Sequence, residues 1–303
     1  MLSFKKLTLK DINFVKPYFS YSLSCACDNT VGGTFMWRDF FETEYCLQDD
    51  TLIFKVKYSG NLGQKSQAFG DLTAFPYPLG ADARGSIREI EKYCKSLDIP
   101  LVFCAATEED IAVYRDMYSP SEIISNESWD DYLYKAEDLI DLPGRKYSGQ
   151  RNHINNFLKL HTDFSFEEIT PGNLRKVTDF YKRISSTFTK ETRSFREGQE
   201  KTLEVLANYD DYGLLGGLLS AGGEVIGFAV GEVLKDTLFI HIERADLRFR
   251  GAYQMLAKLF TKHFADKNVI YVNREEDDGD IGLRTAKKAY HPIKMIRKHM
   301  VIV

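Results

Sequence analysis

Apolar positions along this chain repeat with two periods, and the alternation between them predicts its elements. Leu7 and Leu9 alternate with polar residues as a short strand, and Asp11 can cap a helix carrying Phe14, Val15 and Tyr18. Glu44–Leu47 and Thr51–Tyr58 read as a hairpin across Asp49-Asp50, followed by a strand over Asp71–Tyr77. Ile87, Ile90, Tyr93 and Cys94 recur at helical spacing within Ser86–Leu97. Pro100–Cys104 is a short apolar run expected as a buried strand, and Asp110–Tyr118 as a helix.

The same order then recurs. Phe164 and Phe166 alternate as a strand, and Thr170-Pro171 is expected to open a helix with proline at its first position. A further helix covers about Phe195–Asn208. Leu214–Leu219 and Val225–Val233 flank Gly222-Gly223 as a hairpin, with Thr237–Ile242 as the next strand. The loop Arg244–Arg250 leads into a helix over Gly251–Lys267. Val269–Val272 reads as a buried strand, Ile281–Tyr290 as a helix, and Met295–Val303 as a closing strand. Val102 matches Val272, and Tyr118-Ser119-Pro120 echoes Tyr290-His291-Pro292. The order predicts a duplicated α/β fold with mixed sheets, divided as residues 1–141 and 142–303.

Between the halves lies Leu142-Pro143-Gly144-Arg145-Lys146-Tyr147, a turn signal. The helix that follows has Ile154, Phe157 and Leu158 on one side. Arg151, Asn155 and Lys159, four apart, line up beside them. The segment 142–160 reads either as a solvated helix face or as a basic junction helix. In the second reading Arg145, Lys146, Arg151, Asn152 and Asn155 face a substrate cleft between the halves.

Composition narrows the function. A hydrophobic content of 44% and a charged content of 28% over 303 residues are globular values. A net charge of -4 argues against a protein that coats nucleic acid non-specifically. The five cysteines lack CxxC spacing, which fits a reducing compartment. Neither a signal-peptide core nor a transmembrane run of about 18 apolar residues is present, so the expected location is cytoplasmic. There is no Gly-x-Ser-x-Gly elbow, no P-loop and no His-Glu-x-x-His, and the six histidines show no ligand spacing, so no metal site is expected.

The most informative site candidate is Arg248-Phe249-Arg250-Gly251-Ala252-Tyr253, where a strand passes into a helix. A glycine at the helix start lets backbone N–H groups approach a ligand, the helix terminus favours anions, and two arginines add charge. The run resembles the pyrophosphate loop of the N-acetyltransferase (GNAT) family, Arg/Gln-x-x-Gly-x-Gly/Ala, with Tyr253 where that family has a small residue. Trp129-Asp130-Asp131-Tyr132-Leu133-Tyr134, the Leu142–Tyr147 run, Arg151-Asn152-His153-Ile154-Asn155 and Tyr290-His291-Pro292 resemble the C-terminal domain of phosphatidylglycerol lysyltransferase. With Phe75–Gly80 and Trp37-Arg38 the resemblance covers nearly the whole chain.

The resemblance implies two tandem GNAT-like acyltransferase domains, as in Fem-type aminoacyltransferases. It implies transfer of an activated acyl group from acyl-coenzyme A or aminoacyl-tRNA to an amine or hydroxyl. Arg248, Arg250, Gly251, Ala252 and Tyr253 would then hold donor phosphates. Asn273 and Glu275 follow the strand from which GNAT-like folds reach the reacting centre. Glu275 is the candidate base there, and Tyr290 the candidate proton donor. The alternative is a non-catalytic phosphate- or RNA-binding module on the same duplicated fold.

Overall fold

Asp49 and Asp50 turn the chain back on itself with φ of 46° and 56°. A two-residue hairpin that matches strand twist needs left-handed backbone at both centres, and aspartate tolerates it. The computed structural model describes residues 2–58, 72–189 and 192–303. Strand β1 (Lys5–Lys6) pairs with β2 (Glu44–Gln48), and the hairpin carries β2 into β3 (Thr51–Tyr58). Both β4 (Leu72–Ala74) and β5 (Leu79–Gly80) pair with β3. Of the expected strand over Asp71–Tyr77, Asp71 lies outside the described residues.

Helices α1 (Ile12–Val15), α2 (Val31–Met36), α3 (Ala83–Leu97) and α4 (Glu108–Met117) accompany these strands. Ile87, Ile90 and Cys94 of α3 join Ile53, Phe75, Phe103 and Tyr114 in one core, as the helical spacing of the α3 residues predicts. Asp110 accepts from the backbone N–H and the hydroxyl of Thr107, both at 2.8 Å, fixing the start of α4. Strands β6 (Val102–Ala106) and β7 (Glu122–Ser125) follow.

The chain divides into two units, Met1–Asp130 with Ile296–Val303, and Asp131–Met295. The second unit opens with β8 (Asp131–Lys135) and the helices α5 (Ala136–Asp141) and α6 (Ser148–Leu160). It continues through β9 (Ser165–Glu168), α7 (Leu174–Ser185), α8 (Arg193–Ala207), α9 (Tyr209–Tyr212), β10 (Leu215–Ala221), β11 (Glu224–Leu234) and β12 (Thr237–Ala245). Then come α10 (Ala252–Phe264), β13 (Tyr271–Asn273), α11 (Ile281–Lys288) and β14 (Lys294–Ile296). Its sheet runs β14-β8-β13-β12-β11-β10-β9. Helices α5 and α6 pack on α10, and Ile154, Phe157, Leu256 and Phe260 share a core with Leu219, Ile226, Leu238 and Ile240. Among the described residues no helix is long and apolar enough to cross a membrane.

The duplication has a feature that the order of elements did not show. The last strand, β15 (His299–Ile302), pairs with β6 and β7 of the first unit, while β8 pairs with β13 and lies beside β14. The final strand of each repeat therefore sits in the sheet of the other. This moves the division from the expected 141/142 to 130/131, because β8 and α5 are bound to β13 and α10. It also splits the expected strand Met295–Val303, whose two ends enter different sheets. Pro171 does not open a helix. The helix α7 starts only at Leu174, after a turn in which Asn173 Oδ1 accepts from the Thr170 N–H at 2.8 Å.

Candidate functional site

The sheet of the second unit comes apart at one place. Strands β12 and β13 are parallel and hydrogen-bonded only from Thr237 to Phe239 and Tyr271 to Asn273. Beyond that, β12 continues on β11 to Ala245 while the chain leaves the sheet after Asn273. Side chains close the parting. His241 Nδ1 lies 2.7 Å from Glu275 Oε1, and Nε2 lies 2.9 Å from Glu232 Oε1. The imidazole is 1% exposed. Burial alone would drive its proton off, but hydrogen bonds and charge from both carboxylates prevail and lift the pKa to about 10. At neutral pH the ring is an imidazolium held between the two glutamates.

Glu275 is held by its backbone. Its φ is +57°, its N–H donates to Asn273 Oδ1 at 2.7 Å, and its carbonyl accepts from the Tyr132 N–H at 3.2 Å. Asn273 is fully buried and donates to Asp131 Oδ2 at 2.9 Å. Lys287 donates to the carbonyls of Arg274, Glu275 and Glu276, and its burial pulls its pKa down. A left-handed glutamate costs about 1–3 kcal/mol, and such strain persists only where its surroundings over-determine it. Asn273 and Lys287 supply that restraint.

Tyr290 occupies a neighbouring network. Arg274 pairs with Glu243 at 2.9 Å and lies 4.8 Å from the Tyr290 ring and 6.0 Å from that of Tyr134. Tyr290 is buried, which pushes its phenol up, with Arg274 acting against this. Its ring contacts are those of a packed residue against a buried guanidinium.

The loop between β12 and α10 is organised by a buried carboxylate. Asp246 accepts from Arg248 Nε and Nη2, at 3.0 and 2.7 Å, and from Arg183 Nη1 at 3.0 Å. Hydrogen bonds from Arg248 lead in holding its pKa at about 2. Arg250 is exposed. With Gly251, Ala252, Tyr253, Phe249 and His153 it lines a pocket of about 200 Å³. At a helix start the N–H groups of Tyr253 and Gln254 have no intrahelical acceptor. Gly251 has φ of +90°, and a Cβ there would stand 2.3 Å from the His153 carbonyl oxygen. Gly251→Ala is therefore expected to destabilise the protein by about 1–3 kcal/mol, read as a lowered urea midpoint. An unchanged midpoint would show that the loop does not depend on this approach.

The basic junction segment falls inside the second unit, packed on α10. Arg151 donates to the carbonyls of Leu142 and Gly144, the latter at 2.7 Å, and so caps the end of α5. Lys146 lies 3.7 Å from Asp138 and 4.8 Å from the Tyr147 ring. Arg145, Asn152 and Asn155 are exposed. The segment's contribution to the pocket is His153.

Residues 21–302 match the family described as phosphatidylglycerol lysyltransferase, C-terminal. The chain belongs to that family. It superimposes on a conserved protein of unknown function from Bacteroides thetaiotaomicron with a TM-score of 0.87 and 26% identity, covering 100% of both chains. A second similar structure is the C-terminal domain of a putative lysylphosphatidylglycerol synthetase from Agrobacterium fabrum. It gives a TM-score of 0.64 at 13% identity over 97% of this chain and 91% of that one. FemX shares the fold at a TM-score of 0.60 and 7% identity, over 100% of this chain and 98% of its own. An uncharacterized protein of Mycoplasmoides gallisepticum is 26% identical over 192 residues, 59% of this chain and 58% of that relative, so less than two thirds of the relative is matched. The fold is the expected pair of tandem GNAT-like units.

Sequence reasoning did not single out His241, Glu232, Asp246 or Lys287. Glu232 lies nine residues before His241 and Glu275 34 after it, so no local spacing marks the triad. Asp246 did leave a signal, since an acid two residues before Arg248 can set its guanidinium.

Proposed function

We propose that the second unit transfers an acyl or aminoacyl group from a phosphate-bearing donor to an amine or hydroxyl. Coenzyme A thioesters and aminoacyl-tRNA both carry the phosphates that Arg248, Arg250 and the N–H groups of Tyr253 and Gln254 suit. The acceptor attacks the donor carbonyl, and the Glu275 carboxylate takes its proton as the carbon–heteroatom bond forms. The tetrahedral intermediate then expels the donor's sulfur or ribose oxygen, which takes the proton from Glu275 and so returns Glu275 to the carboxylate. His241, already protonated, holds Glu275 in place and takes no proton itself. The carrying observation is the presence of this fixed carboxylate, where parallel strands part, in the unit that also presents an anion-suited helix start. Both donors are cytoplasmic molecules.

The pocket's size favours a second reading in one respect. About 200 Å³ is below the roughly 300–1,000 Å³ of sites that enclose a whole small molecule, so it fits one end of a donor. A module that binds phosphate without turnover has the same need. Coenzyme A, acetyl-coenzyme A or lysyl-tRNA is expected to raise the melting temperature. The pair Arg248→Ala, Arg250→Ala should weaken that donor roughly tenfold or more, as lost charge-assisted hydrogen bonds do. No shift with any donor removes the proposal, and stabilisation without turnover favours the binding module.

A further inference from the structure

The first unit carries a hydrogen-bonded serine, histidine and glutamate that the donor site does not use. In β15, His299 pairs on one side with Ala106 of β6 and on the other with Ser125 of β7. Residues directly opposite in antiparallel strands share one face of the sheet. Ile123, two residues before Ser125, packs in the core with Tyr114 of α4, so Ser125 and His299 stand on the face that α4 covers. Just past Ala106 the chain turns into α4, whose first residue is Glu108. Asp110 already fixes that start, and the Glu108 carboxylate reaches back to the imidazole. His299 Nε2 lies 3.2 Å from Glu108 Oε1, and Nδ1 lies 2.7 Å from Ser125 Oγ. A carboxylate only accepts, so the proton of the neutral ring sits on Nε2 and Nδ1 accepts from the serine hydroxyl. His299 is 7% exposed, whereas Ser125 is exposed. The serine is therefore within reach of a molecule in solution, with its proton already directed at a buried base.

We propose that Ser125 is a nucleophile towards carboxylic esters, with His299 as its general base and Glu108 as the positioning residue. A serine is activated where its hydroxyl meets a base within about 2.6–3.2 Å and a third group orients that base. Ser125 Oγ bonds to the ester carbonyl carbon as its proton passes to His299 Nδ1. The tetrahedral intermediate then breaks its bond to the leaving alkoxide, which takes that proton and departs as an alcohol. Water repeats the two steps on the acylated Ser125, releasing a carboxylic acid and restoring the hydroxyl. Glu108 keeps the ring in the tautomer that accepts, and its charge steadies the imidazolium formed in each step. The Glu108 side chain is 60% exposed, so water screens that charge and the tautomer is its larger contribution. The inference does not rest on acyl transfer by the second unit and is tested apart from it.

The test is labelling of the full chain with a fluorophosphonate, read by intact mass. Ser125 Oγ is expected to displace fluoride from phosphorus and give a single adduct, which Ser125→Ala should abolish. His299→Gln should slow labelling about 10²-fold or more, the usual worth of a general base. Glu108→Ala should slow it with the urea midpoint kept. Glu108→Gln should recover part of the rate, since its amide oxygen accepts from Nε2–H. Ser125 and Glu108 are exposed, so their variants keep the test valid if His299→Gln fails to fold. With p-nitrophenyl acetate, hydrolysis above the uncatalysed rate is expected, and Ser125→Ala should lose it. No adduct, an adduct that survives Ser125→Ala, or equal labelling rates for the parent and Glu108→Ala proteins would each overturn the inference.

Discussion

Replacing His241 by alanine is expected to destabilise the protein by about 3–5 kcal/mol. Removing one member of a buried ion network leaves the remaining charges uncompensated, and that loss is of this order. Here Glu232 and Glu275, with side chains 9% and 19% exposed, would lose the ring that both of them meet. The urea midpoint at neutral pH reads the effect, and a change under about 1 kcal/mol would show that the triad is not a coupled unit. Its pH dependence has a definite sign. The folded pKa of about 10 lies above the ordinary 6.5, so the network's contribution is complete below pH 6.5. As pH rises from 6.5 towards about 10 the unfolded chain loses the proton that the folded chain keeps, and stability falls. His241→Gln should lose that slope.

Elements with a strong local period were legible, and those set by distant partners were not. The alternation through Val225–Val233 and the glycine pair before it are enough to predict the β10–β11 hairpin, because hairpin pairing is local. The helix α10 announces itself by Met255, Leu256 and Phe260. Strands β7 and β8 were missed because Ile123-Ile124 and Tyr132-Leu133-Tyr134 are short runs whose partners, in β15 and β13, lie far along the chain. The strand exchange was hidden for the same reason. At the site, the loop residues Arg248 to Tyr253 could be found because one segment carries the whole feature. Glu275 was reachable from its place after a buried strand, but its partner was not. A histidine between a glutamate on a neighbouring strand and one in a loop beyond another has no signature until the sheet is assembled. The basic stripe on α6 misled in part, since Arg151 turns back to the carbonyls of Leu142 and Gly144, which a linear reading leaves without a donor.

Glu275→Gln is expected to lower the turnover of acyl or aminoacyl transfer by about 10²–10⁴-fold, the usual worth of a positioned general base. Glutamine keeps the shape and can still meet His241, so donor affinity at the β12–α10 loop should be unchanged and the loss should fall on kcat. That split separates the base from a residue that merely holds the fold, since a structural failure would weaken donor binding and stability together. Lys287→Met serves as the contrast. It removes the ammonium from the carbonyls of Arg274, Glu275 and Glu276, so it should free the left-handed turn and reduce turnover together with stability. Rates measured with lysyl-tRNA or acetyl-coenzyme A and an amine acceptor decide the matter. Turnover of the Glu275→Gln protein within about threefold of the parent would remove Glu275 as the base, because a proton acceptor in the transition state cannot be neutralised at so small a cost.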